Sequence, residues 1–384
     1  MTPHERDVLE WLAAQRPAML ALLEDLVNTD SGSYDKGGVD AVGAKLRGFL
    51  ESQGIAPEVI RGERFGDALR AGVGSGPNTT ILLMGHRDTV FPQGEASRRP
   101  FRVEGARAYG PGVADMKPGL VMNAFVLAAF AKFGGAPAPL VGLFTGDEEI
   151  GSPFSRPLIE TEARRARAVF NAEPGRPSGA VITARKGGVF MQLAVTGKAA
   201  HSGANFEAGI SAIEELAKKI VALHSLTDVE RGITVNVGTV RGGQSVNTVA
   251  PSAQGEIDLR FLTRADRDVT MARIGSIADT CYVPGTSAQL EIFGEFLPLN
   301  ETPDGERLYR HYAGCAEALG MQVPAEFTGG CADSGFAASV GAPTLCATGP
   351  IGGKAHTPDE YLELDSIVPR AQALALAILR LGQG

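Results

Sequence analysis

Apolar residues recur at two spacings along the first half of the chain, and each spacing predicts one type of element. Leucines and alanines repeat every three or four residues near the start, which predicts one amphipathic helix over 3–27. The other predicted elements are helices at 39–53, 117–133 and 157–167 and strands at 56–60, 79–86, 139–149 and 168–174. Strands that alternate with helices indicate an α/β layer with a largely parallel sheet.

The pattern changes between residues 188 and 296. The predicted elements there are strands at 189–197, 232–240, 253–262 and 287–294 and helices at 209–226 and 266–281. This β-α-β-β-α-β order is typical of a ferredoxin-like unit. Helices at 305–319 and from 367 onward, with a strand at 341–349, then return to the α/β pattern. We therefore predict an α/β domain of residues 1–186 and 297–384, with a mostly parallel mixed sheet, and a smaller domain of residues 187–296 inserted into it.

Length and charge agree with a two-domain protein that binds small molecules. The 384 residues exceed what one hydrophobic core usually holds. The net charge of −8, without a cluster of lysines and arginines, argues against a nucleic-acid partner. No apolar run approaches the roughly 20 residues that cross a bilayer, and the N-terminal segment resembles no signal peptide. We expect no membrane partner and a cytoplasmic location.

The sequence contains no motif for a thiolate zinc site or for a nucleotide cofactor. The four cysteines form no CxxC pair, which argues against a thiolate zinc site. The glycines of 71–78 match neither a Walker A nor a Rossmann signature, so we interpret this stretch as a loop and set aside a dinucleotide-dependent enzyme.

Histidines and carboxylates follow several of the predicted strands. His86 and Asp88 stand two residues apart at the end of the apolar strand 79–86, and alternate residues of a strand share a face. Four other segments carry further candidates, which are Asp115 in "GPGVADMKPG", Glu148 and Glu149 in "TGDEEIGS", Glu173 in "NAEPG" and His356 in "AHTPDE". Functional groups of α/β sheets gather at the carboxyl ends of the strands. Two histidines and one carboxylate from each of the Asp115, Glu148–Glu149 and Glu173 segments suit Zn²⁺, Co²⁺ or Mn²⁺.

The adjacent acids Glu148 and Glu149 sharpen this hypothesis. Beside two metal ions only one of them needs to be a ligand, and the other is free to act as a general base. Taken alone, two neighbouring acids at a strand end are also typical of a solvated turn.

These motifs, together with "GHRDTV", "TGKAAHSG" and "SVNTVAP", resemble the M20 family of metallopeptidases over nearly the whole chain. The family includes glutamate carboxypeptidases, acetylornithine deacetylases and succinyl-diaminopimelate desuccinylases, and the likeness is greatest to the glutamate carboxypeptidase branch. The resemblance implies a large zinc-peptidase-like domain with an inserted lid and dimerisation domain. It also implies a homodimeric hydrolase that holds two divalent ions, zinc foremost.

The resemblance also implies roles for single residues. His86 and Glu173 would complete one metal site, Glu149 and His356 the other, and Asp115 would bridge the two ions. Glu148 would be the general base that activates a metal-bridging water, and Asp88 would orient the ring of His86. A cis peptide bond is implied between Asp115 and Met116.

Three residues of the smaller domain have counterparts in the family. His201 matches the histidine that reaches the partner subunit's active site and stabilises the oxyanion, which implies a homodimer through this domain. Without the resemblance, His201 is a surface loop residue. Asn247 and Arg260 match residues that contact substrate, and an arginine fork suits a carboxylate. A structural ion pair is the competing interpretation of Arg260.

Several positions depart from the glutamate carboxypeptidase pattern. An arginine-bearing turn of that branch is replaced here by Glu295 and Phe296, which favours a less acidic or more apolar substrate. Arg185 and Lys186 offer either a replacement cation or an exposed pair of basic residues. Cys331 lies in a loop that borders the substrate in the family, and nothing in the sequence indicates that it is a nucleophile.

The sequence thus predicts a metal-dependent hydrolase for the amide bond of an N-acyl amino acid or small peptide with a free carboxylate. A deacylase or aryl-amide or aryl-amine hydrolase of the same family, with a less acidic substrate, is the first alternative. A non-catalytic metal-binding relative is the second, and the intact Glu148 argues against it.

Overall fold

A computed structural model of the protein describes residues 1–76 and 79–382. Its α-helices are α1 (Pro3–Ala14), α2 (Arg16–Val27), α3 (Lys36–Ser52), α4 (Glu95–Arg98), α5 (Lys117–Phe133), α6 (Arg156–Ala163), α7 (Ala212–His224), α8 (Arg264–Asp279), α9 (Pro303–Glu317), α10 (Ser334–Ser339) and α11 (Ile367–Arg380). None of the helices in this described part is both long and apolar enough to span a membrane.

The strands are β1 (Glu58–Ile60), β2 (Ala68–Val73), β3 (Thr80–His86), β4 (Arg102–Glu104), β5 (Arg107–Tyr109), β6 (Leu140–Thr145), β7 (Ala166–Asn171), β8 (Val181–Arg185), β9 (Gly187–Thr196), β10 (Thr234–Gly242), β11 (Ser252–Phe261), β12 (Ser287–Phe296), β13 (Ala325–Thr328), β14 (Thr344–Leu345), β15 (Gly352–Gly353) and β16 (Tyr361–Glu363). Short 3₁₀ turns supplement them, including one at Glu148–Ile150.

The described residues form two compact units. The large unit comprises residues 1–76, 79–184, 301–328 and 336–382, and the small unit comprises residues 185–300 and 329–335. The segment 329–335, which contains Cys331, belongs to the small unit although it lies far from it in the sequence. The roles that the sequence assigns to the two domains, catalysis for one and dimerisation for the other, stay predictions.

The large unit is built on a six-stranded sheet in the order β1-β2-β6-β3-β7-β14. Strands β6, β3, β7 and β14 run parallel to one another, whereas β2 runs antiparallel to β6 and β1 antiparallel to β2. Every residue of β3 and β6 is buried, as expected for strands that are covered on both faces. The predicted α/β class with a mostly parallel mixed sheet is confirmed.

Helix α5 provides much of the core of the large unit. Its residues from Lys117 to Phe130 are all buried, and it contacts α1, α2, α3 and α11 as well as strands of the sheet. A helix that is apolar on all sides requires burial on all sides. The loop that precedes α5 carries Asp115, so the core positions this residue.

The start of the chain differs from the prediction of one helix over 3–27. Two helices, α1 and α2, are separated at Gln15. Pro17 explains the break, because its nitrogen has no hydrogen to donate and its ring clashes with the carbonyl of residue 13 in a continuous helix. The predicted loop over 71–78 is also wrong in part, since Ala71–Val73 end strand β2, while Pro77 and Asn78 lie outside the described residues.

A second sheet of the large unit was not predicted. It has four short antiparallel strands in the order β15-β16-β5-β4. None of them is longer than three residues, too short to show a period in the sequence. This sheet matters for function because Asp115 follows β5 and His356 lies between β15 and β16.

The small unit contains the predicted ferredoxin-like order β9-α7-β10-β11-α8-β12. Its four strands form an antiparallel sheet in the order β10-β11-β9-β12. Buried and less buried residues alternate along β11, and helices α7 and α8 pack on strands of the sheet. The period of two therefore indicates the face that the helices cover, and the predicted order is confirmed.

Candidate metal centre

Three neighbouring parallel strands end beside one another and carry candidate ligands. His86 is the last residue of β3, Glu148 and Glu149 lie three and four residues after β6, and Glu173 follows β7 by two. Because β3 pairs with both β6 and β7 in parallel, the carboxyl ends of all three meet at one sheet edge.

Asp115 and His356 reach this edge from loops of the second sheet. The two oxygens of Asp115 face different histidines, with Oδ1 at 3.1 Å from Nε2 of His86 and Oδ2 at 3.4 Å from Nε2 of His356. One carboxylate therefore stands between two imidazoles, as a ligand that bridges two metal ions would. Neither residue follows a strand of the six-stranded sheet, so the expectation that all the candidate ligands lie at the carboxyl ends of its strands is wrong for these two.

Each histidine has its own glutamate. Nε2 of His86 lies 3.6 Å from Oε1 of Glu173, and Nε2 of His356 lies 3.1 Å from Oε2 of Glu149. These proximities match the two ligand sets that the family resemblance implies. The ligand atoms of His86, Asp115 and Glu149 lie within 4.8 Å of one another, and so do those of His86, Glu148 and Glu173.

The side chains of this cluster fit divalent cations. Oε1 of Glu149 is buried and accepts no hydrogen bond within the described part of the chain, a costly arrangement unless a cation satisfies it. Imidazole nitrogens and carboxylate oxygens are the ligands that zinc binds in catalytic sites. The peptide bond between Asp115 and Met116 is cis, as the resemblance implies.

The mutual approach of these groups displaces their pKa values. Hydrogen bonds with Asp115 and Glu149 raise the pKa of His356 to about 11. Burial alone would lower the pKa of His86. The contacts with Asp115, Asp88 and Glu148 outweigh this effect and hold the pKa well above its ordinary value. Burial favours the neutral form of Asp115, yet the two histidines hold its pKa below the ordinary range. The cluster is thus a dense group of negative charge that attracts cations.

Asp88 contacts three residues of the cluster, which are His86, Glu148 and Glu149. It is fully buried, and its Oδ1 lies 3.3 Å from Nδ1 of His86, whose other neighbour is the backbone oxygen of Asp88 at 3.0 Å. A proton on Nδ1 leaves the lone pair of Nε2 directed at the candidate metal position. The same carboxylate accepts the backbone N–H groups of Glu148 and Glu149, both at 3.1 Å, and the Ser33 hydroxyl at 2.7 Å.

Glu360 lies in this region, although no role was predicted for it from the sequence. Its buried carboxylate accepts the backbone N–H groups of Gly112 at 3.2 Å, Ala114 at 2.8 Å and Asp115 at 2.9 Å. Burial raises the pKa of Glu360 to about 7 in spite of these donors. The signal was within the quoted "AHTPDE", four residues after His356. Glu360 therefore ties the His356 loop to the Asp115 loop.

We expect Glu360→Gln to weaken metal binding about 10–100-fold, the usual cost of losing support behind a ligand. Its amide nitrogen would face one of the backbone N–H groups that the carboxylate now accepts. Competition with a chromophoric chelator measures the change. Glu363→Gln is the matched control, because Glu363 forms only a half-exposed ion pair with Arg107. A metal affinity of Glu360→Gln within twofold of wild type would contradict the supporting role.

The small unit places two of the predicted substrate residues close together. Nδ1 of His201 accepts the backbone N–H groups of Gly203 and Ala204, both at 3.1 Å. In the neutral ring the proton therefore sits on Nε2, which is exposed and able to donate. The backbone of Asn247 accepts from Ser202 at 2.9 Å, so Asn247 lies beside this loop.

Arg260 is held from three sides in the same unit. Its Nε donates to Oδ2 of Asp258 at 3.1 Å, its Nη1 donates to Sγ of Cys331 at 2.8 Å, and its guanidinium lies 5.0 Å from the centre of the Phe190 ring. Burial raises the pKa of the Cys331 thiol, although the charges of Arg260 and Arg185 oppose this. A neutral thiol agrees with the expectation that Cys331 is no nucleophile.

The other residues that depart from the family pattern make contacts within the small unit. Glu295 pairs with Arg267 at 2.7 Å, and Phe296 is buried with its ring perpendicular to that of Phe190. Nη2 of Arg185 donates to the Cys331 carbonyl at 2.9 Å, and Nζ of Lys186 donates to the Gly232 carbonyl at 2.7 Å. Arg185 and Lys186 thus both bind backbone oxygens.

Known proteins resemble the chain along its length. Residues 82–380 match the profile described as peptidase family M20/M25/M40. Carboxypeptidase G2 of Pseudomonas sp. (strain RS-16) is 30% identical over 99% of this chain and 94% of its own. An acetylornithine deacetylase of Vibrio campbellii (strain ATCC BAA-1116) is 29% identical over 95% of this chain and 99% of its own.

Solved structures agree in fold. The M20 family metallo-carboxypeptidase Sso-CP2 of Sulfolobus solfataricus superposes with a TM-score of 0.78 at 18% identity, covering 94% of this chain and 98% of its own. The YXEP protein of Bacillus subtilis, described as a dinuclear metal binding peptidase, superposes with a TM-score of 0.68 at 16% identity, covering 96% and 98%.

Proposed function

Because the chain belongs to peptidase family M20/M25/M40, we propose that it hydrolyses the amide bond of an N-acyl amino acid or small peptide with a free carboxylate. One observation carries the proposal, which is that the two oxygens of Asp115 face His86 and His356 at 3.1 and 3.4 Å. This geometry supports a two-metal hydrolase.

His86 and Glu173 would hold one ion, Glu149 and His356 the other, and Asp115 would bridge them, with zinc as the metal that this ligand set favours. Bound ions would polarise the amide carbonyl and stabilise the negative charge that develops on its oxygen. The chain's own contribution is to hold the ligands in place. Asp88 contacts the ring of His86, and Glu360 accepts the backbone N–H of Asp115.

Glu148 is the proposed general base and acid. Its carboxylate is nearly buried, 3.9 Å from Nε2 of His86, and its backbone N–H is bound to Asp88. In this position it takes a proton from the attacking water and later passes that proton to the leaving amine. Its neighbour Glu149 makes the contact with His356, which supports a division of the pair into one base and one ligand.

His201, Asn247 and Arg260 are the proposed substrate residues of the small unit. The exposed Nε2–H of His201 suits an oxyanion donor, and the guanidinium of Arg260 suits the substrate carboxylate. The contacts of Arg260 with Asp258, Cys331 and Phe190 limit its rotation, so less side-chain entropy is lost when a carboxylate binds. We further propose a homodimer formed through this unit, in which His201 serves the partner's site.

A substrate panel tests the proposal. One acyl group would be attached to glutamate, ornithine and leucine, and each compound would be assayed with protein reconstituted with Zn²⁺, Co²⁺ or Mn²⁺. We expect turnover that a chelator abolishes and added metal restores. Masking the substrate carboxylate as an amide should lower kcat/KM at least about 100-fold, because Arg260 would lose its partner in a partly desolvated site.

Two results would contradict the proposal. Absence of turnover on every compound with two ions bound would reject the N-acyl amino acid substrate and leave a non-catalytic metal-binding role. Equal turnover of free and amidated compounds would reject Arg260 as a carboxylate receptor and favour the alternative of an aryl-amide hydrolase.

A further inference from the structure

A cleft of about 540 Å³ opens in the large unit beside the candidate metal centre. It lies between residues 32–35 and residues 89–93, with Glu149 and Ile150 also lining it. The volume lies within the range of small-molecule sites. No residue of this cleft was assigned a role by the sequence, apart from Glu149.

The lining of the cleft is mostly apolar and partly aromatic. Tyr34, Val90, Phe91, Pro92 and Ile150 contribute to it. Tyr34 is 69% exposed and Val90 is 45% exposed, and neither belongs to the hydrophobic core of the large unit. Large apolar side chains that gather at the wall of a concave site are typical of ligand binding.

The charge of the cleft selects against anions. The charged residues that line it are Asp35 and Glu149, and neither lysine nor arginine is among its described lining. The Asp35 carboxylate accepts the backbone N–H of Gly38 at 3.0 Å at the start of α3, which fixes its negative charge at the wall of the cleft. A carboxylate-bearing group would therefore meet repulsion there, whereas a neutral apolar group would not.

The walls of the cleft are held in place by their own contacts. The backbone of Thr89 donates to Ser31 at 2.8 Å, and that of Ser33 donates to Thr89 at 3.3 Å, which joins the two walls. Gly32 permits this approach, because a Cβ there would lie 2.6 Å from the Phe91 carbonyl oxygen. The Arg99 guanidinium covers the Phe91 ring at 4.8 Å. A pocket whose walls are fixed loses little entropy on binding.

The cleft is continuous with the reacting groups. Glu149 lines it and also lies 3.1 Å from Nε2 of His356, and Ser33 lines it and donates to Asp88. We infer that the cleft binds the acyl group of the substrate and selects neutral aromatic or large apolar acyl groups over acetyl and succinyl. The inference rests on the proposed function, which leaves the acyl group open.

The test compares three acyl groups on one amino acid, namely phenylacetyl, acetyl and succinyl. We expect kcat/KM for phenylacetyl to exceed that for acetyl by about tenfold or more, with succinyl the slowest. Val90→Lys should raise the succinyl-to-phenylacetyl ratio of kcat/KM at least about fivefold above that of wild type. Val90→Glu should lower the same ratio below that of wild type. Val90 is exposed enough for both variants to fold. Val103→Lys, on an exposed strand residue outside the cleft, should leave the ratio unchanged.

A binding arm separates failure of this inference from failure of the proposed function. Calorimetry with phenylacetate and succinate, the free acids, needs no turnover. Tighter binding of phenylacetate than of succinate, with an advantage that Val90→Lys reduces, would support the cleft even if no amide is cleaved. Equal kcat/KM for the three acyl groups, fastest turnover of succinyl, or a preference that both Val90 variants leave unchanged would overturn the inference.

Discussion

Replacement of Glu148 with glutamine is expected to lower kcat about 10²–10⁴-fold while two metal ions stay bound, because general base catalysis contributes this much. Glutamine has the size of glutamate and keeps the backbone hydrogen bond to Asp88, which is made by the main chain. The substitution removes the negative charge and with it the ability to take up a proton. The measurement is kcat on the best substrate of the panel, with the metal content of the same sample determined by elemental analysis.

The metal content distinguishes a base from a ligand. Glu148 and Glu149 are adjacent, and both belong to a cluster of candidate ligand atoms. If Glu148 is the base and Glu149 a ligand, Glu148→Gln keeps two ions and Glu149→Gln keeps fewer. Loss of one ion from Glu148→Gln, with two retained by Glu149→Gln, would reverse the two assignments.

Asparagine at position 115 is expected to weaken binding of both ions at least about 100-fold, because the loss of support behind a ligand alone costs 10–100-fold. The reason is geometric, since the two carboxylate oxygens of Asp115 face different histidines. An amide presents one oxygen and one N–H₂ group, and the latter cannot bind a cation. Dialysis against metal buffers, followed by metal analysis, gives both affinities.

His356→Ala is the matched comparison for Asp115→Asn. Among the described ion pairs, His356 contacts Asp115 and Glu149, and the only partner that it shares with His86 is Asp115. Loss of His356 should therefore weaken the binding of one ion and leave that of the other within a few-fold of wild type. Circular dichroism of each variant checks that the fold is kept. Loss of a single ion from Asp115→Asn would contradict the bridging position.

The ferredoxin-like order and most of the large-unit elements were predictable because their signals are local. Alternation along β11 and the apolar run of β3 are visible in about ten consecutive residues or fewer. The helix predicted over 117–133 matches α5, since apolar residues fill all its faces and glycine follows its end. The break at Gln15 was missed because the amphipathic spacing continues across Pro17.

The candidate ligands were also visible from short strings of sequence. A histidine or a carboxylate just after an apolar strand is a local pattern, and the order of such strings carried the family resemblance. Membership of the family and the mixed α/β fold followed from those local patterns. They did not show that Asp115 and His356 lie in loops of a second sheet. The strands of that sheet have two or three residues each, too few to show alternation of apolar and polar positions.

Contacts between distant positions belong to the tertiary structure alone. Glu360 accepts a hydrogen bond from Ala114, which is 246 positions away, and Cys331 contacts Arg260 across 71 positions. The cleft beside Glu149 forms because residues 32–35 pack beside residues 89–93. No sequence motif links these two segments. Periodicity and motifs report the surroundings of a residue along the chain, so they predicted the elements and the candidate ligands of this protein. Which groups face one another across space depends on how the core packs, and this decided the support of Asp115, the restraint of Arg260 and the shape of the cleft.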